Sequence, residues 1–239
     1  MGISIPRLYE NRVRGCVVRV RGFVAGLVMS GMLAGCGGLT VQSAGQHVEK
    51  PDTVSVSEAR AKLDGLDVKG RAPKTGFDRD EFGPAWSDVD RNGCDTRNDI
   101  LKRDLEGETF KPGTHDCVVL TGTLKDPFSG KTIEFKRGQD TSSEVQIDHL
   151  VPLSDAWQKG AQQWSKTTRK EFANDPLNLL AVDGPLNGQK SDSDAATWLP
   201  PRKAYRCAYI SRQIDVKAKY DVWVTKAEKQ AMETILDGC

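Results

Sequence analysis

Two stretches decide the predicted fold: residues 145–157, VQIDHLVPLSDAW, and residues 172–198, FANDPLNLLAVDGPLNGQKSDSDAATW. In the first stretch, residues 145–147 alternate apolar and polar side chains, which is the pattern of a half-buried strand. Pro152 has no N–H to donate to a neighbouring strand, so strand pairing stops before it. We therefore expect a short strand that ends at Asp148-His149.

The second stretch predicts another strand and then a helix. Residues 177–182 form a short apolar run, and residues 183–185, Asp-Gly-Pro, then turn the chain. Proline suits the first turn of a helix because the N–H that it lacks would have no partner there. Pro200 and Pro201 stop the helix after Trp198. The predicted order is strand, strand, helix.

Polar residues near the ends of these elements can carry chemistry. Asp148 and a side-chain oxygen of Asn187 can hold a divalent cation, and such hard oxygen ligands favour magnesium or manganese over zinc. His149 has an ordinary pKa near neutrality, so it can take a proton from water. Lys190 shares a helix face with Asn187 and suits either a phosphate or plain solvent. Because adjacent strand residues face opposite sides, Asp148 and His149 meet only if the strand twists or ends there.

At these residues the chain resembles the HNH, or ββα-metal, nucleases. It is most similar to the C-terminal nuclease domain of GmrSD-type restriction enzymes and to related secreted actinobacterial proteins, from about residue 77 to residue 239. The spacing of Asn178 and Asn187 also resembles that of the HNH domain in RNA-guided CRISPR nucleases. The resemblance implies His149 as general base, Asp148 and Asn187 as metal ligands, and Asn178 as the residue that fixes the loop and the histidine. Asn187 stands where many relatives have histidine.

The resemblance implies an α+β fold with a ββα-metal core, a β-hairpin and surrounding helices, as a single domain over residues 55–239. It implies a metal-dependent endonuclease that uses Mg²⁺, or alternatively Mn²⁺, and leaves a 5′-phosphate and a 3′-hydroxyl. DNA is the first expected substrate, although the sequence does not separate DNA from RNA. The alternatives are a catalytically inactive envelope binding lipoprotein on the same scaffold, and a hydrolase of another phosphodiester.

The charge balance bears on the substrate. The whole chain has 34 basic and 33 acidic residues; without residues 1–35, which hold five Arg and one Glu, it has 29 basic and 32 acidic residues. No global positive field would then attract a nucleic acid, so any contact with phosphates must be local. A monomer is expected, although the sequence leaves the oligomeric state open.

Residues 1–35 are expected to be a lipoprotein signal peptide. Basic residues precede the apolar run 23–33, which is too short to span a bilayer and has the length of a signal core. The run ends in Leu-Ala-Gly-Cys36, which resembles the bacterial lipobox, in which the cysteine is acylated; the alternative is an ordinary cleaved signal. We expect residues 36–54 to be a flexible tether, and the protein to be exported and lipid-anchored on the extracellular face of the cell membrane.

Four cysteines follow residue 36, and none has the CxxC spacing of a zinc knuckle. An even number of cysteines in an exported chain predicts two disulfides, with three possible pairings. Predicted antiparallel helices over residues 202–219 and 226–237 would bring the last two cysteines together. We therefore favour the pairs Cys94–Cys117 and Cys207–Cys239.

The loop over residues 88–99 imitates an EF-hand calcium site. Its twelfth position holds Asp rather than the usual Glu, and no convincing helix precedes it, so calcium is a minor alternative. In the competing interpretation Asp95 caps a helix over residues 96–105, and Arg97 faces the active cleft as a phosphate contact or forms a surface salt bridge. The candidate calcium ligands are Asp88, Asp90, Asn92 and Asp99.

The remaining elements follow from patterns of capping and alternation. A capping box opens a helix over residues 55–66, and a β-branched run predicts a hairpin of strands 117–124 and 131–136. We expect this hairpin to lie beside the strand that carries Asp148. Two further helices are predicted over residues 153–164 and 167–174.

Overall fold

The computed structural model describes residues 55–239. The predicted signal peptide over residues 1–35, the lipidation site Cys36 and the tether over residues 36–54 lie outside the described residues. Within residues 55–239, no helix combines the length and apolar character needed to cross a bilayer.

The described residues form a mixed α+β fold with small antiparallel sheets. Three short 3₁₀ helices, Arg79–Phe82, Ala161–Gln163 and Lys203–Tyr205, supplement the regular elements. The helices are α1 Val56–Gly65, α2 Thr96–Asp104, α3 Leu153–Trp157, α4 Lys166–Ala173, α5 Gly184–Lys190, α6 Arg206–Tyr220 and α7 Lys226–Asp237. The strands are β1 Leu105–Phe110, β2 Val119–Lys125, β3 Thr132–Lys136, β4 Val145–His149 and β5 Leu179–Asp183.

The strands form two separate sheets, β1-β2-β3 and β4-β5. The β2-β3 hairpin, expected to lie beside β4, belongs to a separate sheet and forms no ladder with β4. The two sheets instead share an apolar core, in which Val119 and Phe135 pack with Ile147 and Ala181. The sequence did not predict β1, which begins where α2 ends and pairs antiparallel with β2.

Strands β4 and β5 pair antiparallel, so that Asp148 lies opposite Leu180 and His149 opposite Leu179. Helix α5 starts immediately after β5, because Asp183 caps it by accepting a hydrogen bond from the Leu186 amide at 2.8 Å. Gly184 at this junction lies so close to the Ser143 carbonyl that any Cβ would collide with it. The predicted order of strand, strand and helix is confirmed.

Helix α5 is shorter than predicted, since it ends at Lys190 rather than near Trp198. Ser191 has a φ of 50°, in the left-handed region, which ends the helix. Beyond it Asp194 accepts hydrogen bonds from the Ala196 amide and the Thr197 hydroxyl. Short polar side chains compete in this way for main-chain groups, which is why the run SDSD disfavours a continuing helix.

The predicted cap of α2 is confirmed, and of the capping box predicted at α1 the serine half is formed. Asp95 caps α2 by accepting from the Asn98 amide, and Ser55 caps α1 by accepting from the Glu58 amide. Thr225 and Glu228 form a reciprocal capping box at the start of α7. The structure also joins Cys94 to Cys117 and Cys207 to Cys239, the two pairs that the sequence favoured.

A cluster of buried charges connects the helices behind β4. The ammonium of Lys159 lies 2.7 Å from Asp155, 2.9 Å from Asp194 and 2.6 Å from Glu228. The Lys217 ammonium lies 2.9 Å from the other oxygen of Glu228. Arg71, about one third exposed, completes the cluster through Asp155 and Asp194. Three cations balance three carboxylates and join α3, α6, α7 and the loop after α5, so the cluster fixes these elements relative to one another.

Candidate functional site

Asp148, His149 and Asn187 line one cavity of about 300 Å³, named here the Asp148 cavity. His149 is the last residue of β4. Because the strand ends there, two neighbours that would otherwise face opposite sides can border the same space. The three residues come from β4 and the adjacent α5. The cavity walls also include Lys74, Phe77, Arg79, Ser154 and Asp192.

The carboxylate of Asp148 is buried, and only one of its two oxygens has a hydrogen-bond partner among the described residues. Its Oδ1 accepts a hydrogen bond of 2.8 Å from the Lys190 ammonium, whereas Oδ2 has no hydrogen-bond partner among the described residues. Burial raises the pKa of Asp148, and the positive charge of Lys190 opposes that rise. A buried carboxylate oxygen without a partner carries a cost that a bound cation would remove.

Asn187 offers a second oxygen to the same cavity. Its Nδ2 donates a hydrogen bond of 2.9 Å to Gln146 Oε1, which fixes the amide and leaves Oδ1 as the free acceptor. An unpartnered carboxylate oxygen and an amide oxygen, with room for water, form the hard ligand set that Mg²⁺ or Mn²⁺ prefers. The residues present therefore fit a divalent cation.

The imidazole of His149 is held as a neutral proton acceptor. Its Nε2 lies 2.8 Å from the Ala173 carbonyl, so Nε2 carries the proton and Nδ1 keeps its lone pair. The ring stacks on Trp86 with centroids 6.1 Å apart and planes 12° apart. Burial lowers the pKa of His149 to about 4, with smaller contributions from Arg79 and Lys190.

Asn178 is buried, and its hydrogen bonds hold the two residues that follow His149. Its Oδ1 accepts a 2.8 Å hydrogen bond from the Val151 amide, and its Nδ2 donates to the Val151 carbonyl at 3.2 Å. Its own carbonyl accepts from the Leu150 amide at 2.8 Å. Asn178 thus fixes the chain that leaves β4 after His149, so we describe it as a positioning residue rather than a catalytic one.

Two arginines hold the segment that carries Asn178. Arg103 of α2 and Arg212 of α6 both donate to the carbonyls of Pro176 and Leu179. These carbonyls flank Asn178 on both sides. The orientation of the loop after His149 therefore depends on α2 and α6 as well as on the β4-β5 pair.

Replacing Asn178 by alanine should lower the free energy of unfolding by about 1–3 kcal/mol, because it leaves the buried Val151 amide and carbonyl without partners. Urea denaturation measures this change. Asn174→Ala is the matched control, since Asn174 is equally buried but bonds only within its own helix, to the Lys170 carbonyl. An Asn178→Ala effect no larger than that of the control would contradict the assigned role.

Lys190 is not a surface residue. Its ammonium is fully buried and donates to both Asp148 Oδ1 and the His149 carbonyl at 2.8 Å. This corrects the expectation that Lys190 contacts a phosphate or faces solvent. Its observed role is to fix the Asp148 carboxylate and the end of β4.

Arg97 also lies away from the place that the sequence predicted. Its guanidinium donates to the carbonyl of Val145 at 3.2 Å, at the start of β4, and reaches the Ser142 carbonyl at 3.4 Å. Val145 and His149 are at opposite ends of β4, which at about 3.3 Å per residue separates them by roughly 13 Å. Arg97 does not line the Asp148 cavity. Within residues 55–239 the guanidinium forms no salt bridge, and its hydrogen bonds hold the start of β4.

The candidate calcium loop satisfies itself with internal hydrogen bonds. Asn92 Nδ2 donates to Asp90 and Asp99, and Asp88 accepts from the amides of Asn92 and Gly93. Within residues 55–239, no three His, Cys, Asp or Glu side chains are arranged to hold a metal. The loop therefore adds no argument for calcium.

Several residues around the cavity were missed by the sequence reasoning. No helix or strand was predicted for the stretch that contains Lys74, Arg79 and Trp86, whereas Ser154 and Asp192 lie within predicted helices. Lys74 pairs with Asp192 at 3.0 Å, and Asp192 also accepts from the Ser154 hydroxyl at 3.2 Å. No periodic pattern marks these positions, because they reach the cavity through the tertiary fold.

A larger cavity of about 590 Å³ lies elsewhere, lined by residues of α2, β1 and α6. Its walls are mainly apolar and include the stems of Arg103 and Arg212. It contains neither Asp148, His149 nor Asn187. Size therefore does not identify the candidate site in this fold; the convergence of polar groups does.

Two comparisons with known proteins found similarity. The family model described as GmrSD restriction endonucleases, C-terminal domain, matches residues 95–235, a range that contains Asp148, His149 and Asn187. A protein of Arthroderma benhamiae named "Uncharacterized secreted protein" is 38% identical over 191 residues, which cover 79% of this chain and 88% of the relative. No solved structure matches the chain. The chain belongs to the family of the C-terminal domain of GmrSD restriction endonucleases.

Proposed function

We propose that this chain is a metal-dependent HNH endonuclease that hydrolyses nucleic-acid phosphodiester bonds, with β4, β5 and α5 as its ββα-metal core. Membership of a restriction-endonuclease family supports a nuclease-like function. The observation that carries the finer proposal is the convergence on one cavity of three groups: an unpartnered carboxylate oxygen, an amide oxygen and a neutral imidazole.

Asp148 and Asn187 would hold the cation, with Mg²⁺ as the first choice and Mn²⁺ as the alternative. When bound, such a cation neutralises negative charge on the scissile phosphate and on the leaving 3′ oxygen. Lys190 contributes by fixing Asp148 Oδ1, which leaves Oδ2 as the oxygen without a hydrogen-bond partner among the described residues. Gln146 accepts a hydrogen bond from Asn187 Nδ2 and so fixes the orientation of the Asn187 amide.

His149 would act as the general base. Its Nδ1 accepts a proton from the attacking water, while Nε2 keeps its hydrogen bond to the Ala173 carbonyl. The Trp86 ring lies nearly parallel to the imidazole, which favours this orientation of the histidine ring. The negative charge of a bound phosphate favours the imidazolium that forms, and so opposes the effect of burial on the pKa.

The proposal extends to products and location. Family resemblance implies a 5′-phosphate and a 3′-hydroxyl, with DNA as the first substrate to test. The fungal relative is named a secreted protein, and together with the signal-like residues 1–35 this supports export. Acylation at Cys36 would place the enzyme on the extracellular face of the cell membrane.

The test is nicking of supercoiled plasmid by the purified protein. We expect relaxed circles to appear with Mg²⁺ or Mn²⁺ and to vanish when EDTA is added. Absence of metal-dependent cleavage of both plasmid and RNA would contradict the proposal and favour an inactive binding protein. Hydrolysis of a small phosphodiester such as bis(p-nitrophenyl) phosphate, without cleavage of plasmid or RNA, would instead favour a different hydrolase.

A further inference from the structure

The segment Phe77–Trp86 precedes the family-matched residues 95–235, yet it forms a wall of the site. The match to the fungal relative spans 191 residues, more than residues 95–239 contain, so it begins before residue 95. Phe77 and Arg79 border the Asp148 cavity. Arg79 and Trp86 also border a second cavity of about 220 Å³, which shares Arg79, His149 and Leu153 with the first and is named here the Trp86 cavity.

This segment is anchored firmly to the rest of the fold. Phe82 is buried and packs against Trp157 and Phe172, with ring centroids 6.3 and 6.1 Å away. Arg169 of α4 donates to the Glu81 carbonyl at 2.8 Å and pairs with the Glu81 carboxylate at 2.9 Å. The segment can therefore present a side chain to the site at low entropic cost.

The backbone of Trp86 supports a functional interpretation of the segment. Its φ of 59° lies in the left-handed region, which is unfavourable for a bulky residue. Such strain persists where surrounding contacts fix the residue, and it is often found at binding sites. Here the strained residue is the one that stacks on His149.

Arg79 differs from the other cations at the site. Lys190 forms a salt bridge with Asp148, and Lys74 forms one with Asp192. Arg79 is exposed, and within residues 55–239 no carboxylate lies within salt-bridge distance of its guanidinium. It is also the cation that borders both cavities. Asp80, Asp148 and Asp192 border the same cavities, so Arg79 is the group there that can attract a phosphate.

We propose that Arg79 binds the substrate phosphate next to the scissile one, and that the Trp86 cavity receives the nucleoside between them. This rests on the proposed function. A guanidinium matches phosphate geometry with two parallel hydrogen bonds, which suits Arg better than Lys. The aromatic and apolar walls of the Trp86 cavity, including Pro84 and Leu153, suit the flat face of a base or a sugar.

The test uses binding rather than cleavage. In a His149→Asn background, fluorescence anisotropy measures the Kd for a fluorescein-labelled 20-base-pair duplex in Mg²⁺ over a range of salt concentrations. Arg79→Ala should raise the Kd about 10- to 100-fold, as expected for loss of a charge-assisted contact. It should also reduce the slope of log K against log salt by about 0.9. Arg79→Lys should keep the slope but recover only part of the affinity.

The matched control is Arg60→Ala, which removes the same charge from α1, where Arg60 pairs with Asp237 at the surface. We expect its Kd to stay within twofold of the parent. An Arg79→Ala Kd within twofold of the parent, or equal to that of Arg60→Ala, would overturn the proposal, as would a parent that does not bind the duplex. Plasmid nicking by the wild type tests the proposed function separately, so the two can fail independently.

Discussion

Replacing His149 by asparagine is expected to slow metal-dependent nicking by about 10²- to 10⁴-fold, the usual contribution of a positioned general base. Asparagine cannot take a proton from water, so the loss should appear in kcat. Its shorter side chain does not keep the 2.8 Å hydrogen bond of His149 Nε2 to the Ala173 carbonyl, so thermal unfolding of the variant is measured in parallel to show that it is folded. Initial rates of plasmid relaxation at saturating Mg²⁺ measure it.

His115→Asn is the matched control, because His115 is exposed on the loop before β2 and has a φ of 51°, which asparagine tolerates. Its nicking rate should equal that of the wild type. If His149→Asn retained more than about one tenth of the wild-type rate, the general base would have to be another group and the assignment of His149 would be wrong.

Replacing Lys159 by methionine is expected to lower the free energy of unfolding by about 3–5 kcal/mol, the usual cost of removing one partner from a buried ion pair. The ammonium is fully buried and contacts three carboxylates, those of Asp155, Asp194 and Glu228. Without it the three negative charges would be left with Lys217 and Arg71 alone. Urea denaturation at pH 7 with the disulfides intact measures the change.

Lys62→Met is the control for this prediction. Lys62 also pairs with two carboxylates, Glu58 and Asp215, but its side chain is 37% exposed. Solvent screens such pairs, so we expect a loss of about 0–1 kcal/mol. An equal decrease in the free energy of unfolding for the two variants would show that the buried charges do not stabilise the packing of α3, α6 and α7 more than a surface ion pair does.

The features that the sequence predicted well are those with local causes. Alternation marks β4, and Asp-Gly-Pro marks the start of α5. The helix caps at Asp95 and Ser55 depend on contacts three residues apart, so the sequence alone predicts them. Strand β1 was missed because its sequence, LEGETF, lacks a clear apolar face and depends on pairing with β2.

The candidate site was only partly predictable. The convergence of Asp148, His149 and Asn187 follows from the order of β4, β5 and α5. The surroundings of Lys190 were predicted wrongly, because a lysine on a short polar helix gives the same sequence pattern whether its ammonium is solvated or buried against a carboxylate. Arg79 could not be found, since it reaches the cavity from a segment roughly 70 residues earlier than β4, by tertiary packing that no periodicity encodes.

Asp148 and Asn187 are proposed to hold a divalent cation beside His149. Anomalous diffraction from crystals soaked in Mn²⁺ would locate such a cation. We expect a manganese peak within bonding distance of Asp148 Oδ2 and Asn187 Oδ1, in the cavity that His149 also borders. A peak confined to another place, such as the loop over residues 88–99, with no density between Asp148 and Asn187, would contradict it.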